Sequence, residues 1–242
     1  IRNNIWDIVE ENEINFFNVV PTILVEMMNM KYPRFNKNQV KSIKFLACSS
    51  AILSLELQKS FQDRFGIKLS NLYGCSETGA AFFDNPLIPG WVPGTVGNPF
   101  DVYEAEIFDE NNKILEVGEV GEIGISGAGL LKSYFNQKDA FLDSMNNEYF
   151  MTGDLGTKSE QGFFIFVDRK KDLIIKGGIN ISPNQVDGIL QTHPSVLEAA
   201  SIGKPDPYLG EIVKSFVILN DNEDIGEKEL ISFCKTKIGI FK

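Results

Sequence analysis

The chain of 242 residues is poor in cysteine, in histidine, in basic charge and in long apolar runs, and each shortage removes a class of protein. Its three cysteines, Cys48, Cys75 and Cys234, are odd in number and far apart. That pattern excludes a disulfide framework and a zinc site, and it fits reduced thiols in a cytoplasmic setting. The longest wholly apolar stretches, such as Phe163 to Val167, fall far short of the roughly 20 residues that cross a bilayer, so no membrane span is expected. Twenty-three basic residues against 33 acidic ones leave a net charge of −10, which disfavours nucleic acid and anionic lipid as partners. The single histidine, His193, stands beside a proline in a turn and reads as structural. A native start is lacking as well: Ile1 opens the chain and no basic-then-apolar leader follows, so the sequence reads as a fragment or processed piece.

What is present is α/β grammar. A helical pattern from Ile5 leads to a β-rich run at Phe16 to Val20, and Pro21 suits the first turn of the next helix. Ile43 to Ala47 reads as a buried strand. Ser54 then caps a helix carrying Leu57, Phe61 and Phe65 on one face, and Lys68 to Leu72 reads as the following strand. Beyond the glycine- and proline-bearing stretch from Asn85 to Pro99, period-two segments at Val102 to Phe108 and Glu119 to Ser126 flank a turn at Asp109 to Lys113. A strand at Phe163 to Val167 runs into five charged residues, Asp168 to Asp172, read as an exposed junction before the apolar run Leu173 to Ile175. Ser182-Pro183-Asn184-Gln185 is a capping box that opens a helix with Val186, Ile189 and Leu190. Strand-like runs at Leu197 to Ile202 and Ile212 to Leu219 and a helix at Lys228 to Lys237 complete a small α+β unit.

Three polar clusters stand out against this background. In Asn71-Leu72-Tyr73-Gly74-Cys75-Ser76-Glu77 the cluster from Tyr73 is placed just beyond a strand end. It combines a ring able to cover a purine, a glycine for close backbone approach, a hydroxyl for phosphate and a carboxylate for Mg²⁺. By itself the pentapeptide from Tyr73 reads equally well as a strand and a turn with Glu77 solvated. Asp154, in Thr152-Gly153-Asp154, suits a vicinal diol, since one carboxylate accepts from both hydroxyls, or it is a turn aspartate. Arg169 is either a cationic fork near the same sugar or a solvated surface residue.

Taken in order, Tyr73-Gly74-Cys75-Ser76-Glu77, Thr152-Gly153-Asp154, Asp168-Arg169-Lys170-Lys171-Asp172 and Gly177 to Pro183 resemble the AMP-forming acyl-CoA synthetases of the adenylate-forming superfamily. The resemblance extends through Gly94-Thr95-Val96-Gly97, Gly121-Glu122-Ile123, His193 to Val196 and Gly210-Glu211, essentially the whole chain. It implies an α/β fold. Residues 1–170 would be the C-terminal part of the large domain, an α/β sheet with a small β-rich subdomain. Residues 171–242 would be a truncated small α+β domain that swings about a hinge at Lys171.

The resemblance also assigns roles. Tyr73 would stack on adenine, Ser76 would contact the α-phosphate, Glu77 would ligate Mg²⁺, and Asp154 with Arg169 would hold the ribose. Ser50, Ala51, Ile52, Asn71, Leu72, Gly74 and Cys75 would complete the ATP/AMP site, although the glycine and proline usual around Ser49 to Ile52 are missing. Gly177 and Gly178 would skirt the CoA channel, and Gly79, Ala80, Ala81 and Phe82 would line part of the acyl pocket. Gln185 replaces the usual glutamate and completes the capping box equally well. The family's phosphate loop and its C-terminal catalytic lysine have no counterpart in these residues, so the chain alone is expected to be inactive without upstream and downstream segments of the same enzyme. The implied activity is an ATP-dependent acid–thiol ligase that makes an acyl- or aryl-adenylate, releases pyrophosphate and transfers the acyl group to CoA. Two alternatives stand beside it: an adenylating enzyme that loads a carrier protein, and a non-catalytic nucleotide-binding piece.

Overall fold

Local signals start the first elements. In the computed structural model, which describes residues 4–30, 35–51, 53–220 and 223–238, α1 (Ile5–Glu11) is followed by β1 (Asn18–Val19) and α2 (Pro21–Asn29). Pro21 is the first residue of α2, where its missing N–H has no helical partner to lose. After β2 (Leu46–Ser49), the Ser54 hydroxyl accepts from the Leu57 N–H at 3.2 Å and opens α3 (Leu55–Phe65) as expected. β3 (Leu69–Cys75), β4 (Gly79–Phe83) and β5 (Asn98–Pro99) complete a sheet in the order β1-β2-β3-β4-β5, with β1, β2 and β3 parallel. Trp6, Leu24, Leu46, Phe61, Phe65 and Leu69 form its first core. Each such side chain contributes about 1.5–3 kcal/mol by leaving water.

Three strand expectations shift. The run at Phe16 to Val20 contracts to two paired residues. β2 begins at Leu46 rather than Ile43, because the Ile43 N–H turns back to the Val40 carbonyl at 3.1 Å. β3 runs on to Cys75, so Tyr73, Gly74 and Cys75 are strand residues rather than residues beyond a strand end. Pairing with β4, an antiparallel partner across the Ser76 to Thr78 turn, carries the strand that far.

The period-two segments become β6 (Tyr103–Phe108) and β7 (Gly121–Gly127). They lie in a second, antiparallel sheet with β9 (Tyr149–Lys158) and β10 (Phe164–Arg169), ordered β10-β9-β7-β6, while β8 (Met145–Asn146) pairs with β9 and α4 (Lys138–Leu142) precedes it. Asp109 closes the β6 turn by accepting from the Asn111 and Lys113 N–H groups at 2.8 Å each. Ala81 and Phe82 of β4 are buried with Ile107, Ile123, Ile125 and Phe164, so a second core joins the two sheets.

The third unit contains β11 (Ile174–Lys176), β12 (Ile179–Ile181), α5 (Pro183–Gln191), β13 (Val196–Asp206), β14 (Gly210–Leu219) and α6 (Glu227–Ile238). Its sheet order is β12-β11-β14-β13, and its core holds Ile174, Ile181, Val186, Leu190, Val196 and Leu230. Ser182 accepts from the Gln185 N–H at 3.0 Å, with Pro183 at the first helical position, as the capping box requires. Gly177 and Gly178 turn β11 into β12 with φ of 57° and 81°, the left-handed pair of a two-residue hairpin. His193 has a structural place: its Nδ1 accepts from the Ser195 N–H at 3.2 Å and its ring meets Phe233 edge-on.

A helical turn, Lys170–Asp172, links the second sheet to this unit. The expected exposed run of charge contains one exception. Asp168 is 1% exposed, because an irregularity in β10 between Phe166 and Asp168 turns it inward. Its carboxylate accepts from the Ser182 hydroxyl, from the Asn184 N–H at 3.2 Å and side-chain amide at 2.7 Å, and from the Arg169 N–H at 2.7 Å.

Candidate nucleotide site

The parallel strands β2 and β3 pair as far as Ser49 and Leu72, β3 runs on to Cys75, and a cavity of about 1150 Å³ opens past the end of β2 along the last residues of β3. Open α/β sheets bind ligands at that location, since the chain leaves the sheet there and backbone groups are unpaired. Ser50 and Ala51 enter the wall directly after β2, with Ser50 in the left-handed region at φ 68°. Residues 71 to 77 form the facing wall. Gly74 is required by close packing: a Cβ there would lie 1.8 Å from the Gly79 carbonyl oxygen of the adjacent strand. The Asn71 side-chain amide donates to the Thr95 carbonyl at 3.2 Å, and the Thr95 hydroxyl donates to the buried Asp84 at 3.2 Å. Burial pushes the Asp84 carboxyl up to about 6.

The second sheet supplies the opposite side. Asp154 of β9 and Arg169 of β10 are cross-strand partners, with the guanidinium Nε 3.5 Å from the carboxylate. The Tyr73 hydroxyl donates to the other Asp154 oxygen at 2.8 Å. Burial raises the Asp154 carboxyl above the usual range, while the Tyr73 hydroxyl and Arg169 oppose that rise. The same burial pushes the Tyr73 phenol up, reinforced by the Asp154 charge, so the hydroxyl stays a donor. Tyr73 lies edge-on to Phe82 and tilted against Phe166, which fixes the ring plane. Beside Asp154, Glu122 accepts from the Gly153 N–H at 2.9 Å and from the Lys170 ammonium at 3.0 Å.

Glu77 occupies the β3–β4 turn and lines the same cavity. Its carboxylate accepts from the Tyr134 hydroxyl at 2.6 Å, and that bond holds it below the usual carboxylate range. The shared proton correspondingly raises the Tyr134 phenol to about 12. The Cys75 thiol is pushed up by burial and stays protonated, which suits a small filler.

The structure gathers Ser50, Ala51, Asn71, Leu72, Tyr73, Gly74, Cys75, Ser76, Glu77, Asp154, Arg169 and Lys171 around one cavity. Ile52 lies outside the described residues. Gly177 and Gly178 are exposed in their hairpin turn and do not line this cavity. Gly79 and Ala80 are exposed on β4 away from its wall, and Ala81 is 0% exposed in the second core. A register shift is the reason: Tyr73 pairs with Phe82 and Gly74 with Ala80, so Ala81 is the extra residue of a bulge and is buried next to Phe82. Sequence reasoning missed Tyr134, Phe166, Lys170 and Asn184. No local pattern marks Tyr134, whereas Asn184 stood in plain view inside the capping box.

This geometry defines an α/β architecture with a polar-lined cavity at the strand ends, and comparison with known proteins names the family. The AMP-binding enzyme family matches residues 2–135, and the AMP-binding enzyme C-terminal domain matches residues 185–242. The chain therefore belongs to the AMP-binding enzymes of the adenylate-forming superfamily. It is 33% identical to the sulfoacetate–CoA ligase of Cupriavidus necator over 98% of this chain and 46% of that protein. It is 35% identical to the oxalate–CoA ligase of Saccharomyces cerevisiae over 98% of this chain and 43% of that protein. ATP-bound MatB from Rhodopseudomonas palustris, 27% identical, superimposes with a TM-score of 0.93 over 100% of this chain and 48% of that one. Apo MatB, also 27% identical, gives 0.76 over 98% of this chain and 46% of that one. The chain thus spans about half the length of the relatives it matches.

Proposed function

We propose that the cavity is the adenylate pocket of an ATP-dependent acid–thiol ligase. The observation that carries this reading is the convergence of Tyr73, Ser76, Glu77, Asp154 and Arg169, from three separate segments, on one cavity at the ends of β2 and β3. Tyr73 offers its ring to adenine, and Asp154, already accepting one hydroxyl, offers the same oxygen pair to a ribose diol. Arg169 stands across from it as a fixed cation, and Ser76 offers a hydroxyl to the α-phosphate.

Mg²⁺ fits Glu77. No group of three or more metal-ligating side chains exists among the described residues, and this ion is commonly held by one or two carboxylates together with substrate phosphates. Glu77, kept anionic by its Tyr134 bond, is such a carboxylate. When bound, the ion would neutralise phosphate charge. In the first half-reaction the substrate carboxylate oxygen attacks the α-phosphorus and pyrophosphate leaves. In the second, a thiolate attacks the acyl carbon and AMP leaves. The chain's own residues bind, orient and balance charge, and no side chain needs to accept a proton in the adenylation step.

A domain boundary at Lys171 belongs to the same reading. Lys170 is tied to Glu122 of the second sheet and Leu173 leads into β11, so Lys171 is the first residue past that tie. The unequal scores against ATP-bound and apo MatB, at equal identity, are what a rigid-body rearrangement of one part produces. CoA is the acceptor favoured by the names of the relatives, with a carrier protein second.

Calorimetric titration with AMP and ATP tests the site: wild-type chain binds both, and Asp154→Ala loses affinity at least tenfold. A chain that binds neither sinks the reading. For the protein that contains this chain at full length, thioester formed on a carrier protein and none on free CoA would reassign the acceptor.

A further inference from the structure

Glu77 projects from a three-residue turn, Ser76 to Thr78, where a long side chain is free to sample several rotamers. Two bonds from a single distant segment remove that freedom. The Leu131 N–H donates to the Glu77 carbonyl at 2.7 Å, and the Tyr134 hydroxyl donates to Glu77 Oε1 at 2.6 Å. One fixes the main chain of the turn and the other fixes the carboxylate.

Tyr134 is itself held by packing. Its ring meets Phe141 edge-on at 5.7 Å, and Phe141, a buried residue of α4, stacks on Phe150 of β9 at 5.8 Å. A continuous path of rings therefore runs from the second sheet to the Glu77 carboxylate. Tyr134 is absent from the cavity wall and Glu77 is part of it, so any influence of Tyr134 on a ligand passes through Glu77. The donor type also matters. A lysine at this distance would neutralise the carboxylate, whereas a phenol orders one oxygen and leaves the negative charge available to a cation.

We propose that Tyr134 is the positioning residue for Glu77, setting the carboxylate that would hold a divalent ion accompanying the nucleotide. This rests on the nucleotide reading of the cavity and adds to it a residue that the motif does not contain.

The test is ATP titration of the full chain with and without Mg²⁺, for wild type, Tyr134→Phe, Glu77→Gln and the double variant. Tyr134→Phe keeps the ring and its contact with Phe141, so the packing path survives. The expected result is that Mg²⁺ tightens ATP binding in wild type, and that Tyr134→Phe loses roughly tenfold of this gain, the scale of one hydrogen bond to a charged group. Metal-free ATP affinity stays at the wild-type value. In the Glu77→Gln background the hydroxyl deletion adds nothing. A Tyr134→Phe chain with the full Mg²⁺ gain overturns the proposal, as does an equal loss with and without the ion, or an equal loss in the Glu77→Gln background. A wild type that binds ATP with no Mg²⁺ gain removes the ion from Glu77 and overturns the proposal while leaving the nucleotide site standing. A wild type that binds no nucleotide overturns both.

Discussion

Asp168 offers the sharpest quantitative test of how the third unit is attached. Its carboxylate is 1% exposed and accepts four hydrogen bonds, three of them from Ser182 and Asn184 at the start of α5. Asp168→Ala leaves those donors without an acceptor. Arg169 and Asn184 reach solvent and recover water, but the Ser182 hydroxyl, in a residue 7% exposed, does not, and a cavity replaces the carboxyl. Deprivation of a buried donor costs about 1–3 kcal/mol, so the variant is expected to lose roughly 3–4 kcal/mol in total. Because Asp168 belongs to the second sheet and its partners to the third unit, the loss falls on their docking more than on either core. Urea unfolding should show an earlier transition for the third unit. A dye pair, one dye on β7 and one on α6, should report a broadened distance distribution. Asp168→Asn, which keeps the shape and one carbonyl acceptor, should lose less than half as much. An Asp168→Ala chain with the wild-type urea midpoint and an unchanged dye distance would refute the reasoning.

Asp84 carries a pH signature. Burial raises its carboxyl from 3.8 to about 6, so the folded chain binds that proton more tightly than the unfolded chain does. Its contribution is greatest below about pH 4 and is lost as pH rises to about 6, with roughly 3 kcal/mol as the upper scale of the change. Asp84→Asn should remove that component from urea midpoints measured between pH 4 and 7, and an unaltered pH slope would count against it. Gly74→Ala forces a Cβ against the Gly79 carbonyl oxygen and should destabilise by about 2–4 kcal/mol, read as a lowered Tm; wild-type melting would refute the close approach. Tyr73→Phe removes the donor to Asp154 and should cost about 1–2 kcal/mol while moving the Asp154 carboxyl further upward. Carbon-detected NMR titration of Asp154 checks that direction, and a fall would contradict it.

Much of the fold was legible because its signals are local. A cap at Ser54, a proline at the head of α2, the capping box at Ser182 and the period-two runs of the second sheet each depend on neighbours within a few residues. Where the reading slipped, a distant partner decided. β3 extends through Cys75 because β4 pairs with it, and Asp168 is buried because Ser182 and Asn184 meet it from 14 and 16 residues away. The candidate site divides in the same way. Residues of the Tyr73 to Glu77 cluster announce their chemistry by composition, whereas Tyr134 sits 57 residues from Glu77 with nothing in its surroundings to single it out. Ala81 is a small residue near the cluster that the register shift between β3 and β4 leaves in the core.

The sequence by itself determined the class of the chain: its family, its run of α/β and antiparallel segments, and the residue types able to hold a nucleotide. Those properties depend on covalent order and short-range geometry, which a linear string records. Only the tertiary structure decided which groups share a cavity, which carboxylates are anchored and by whom, and which small residue is lost to the core. These outcomes depend on strand register and on side chains brought together across the three packed units, and no spacing along the chain encodes that proximity.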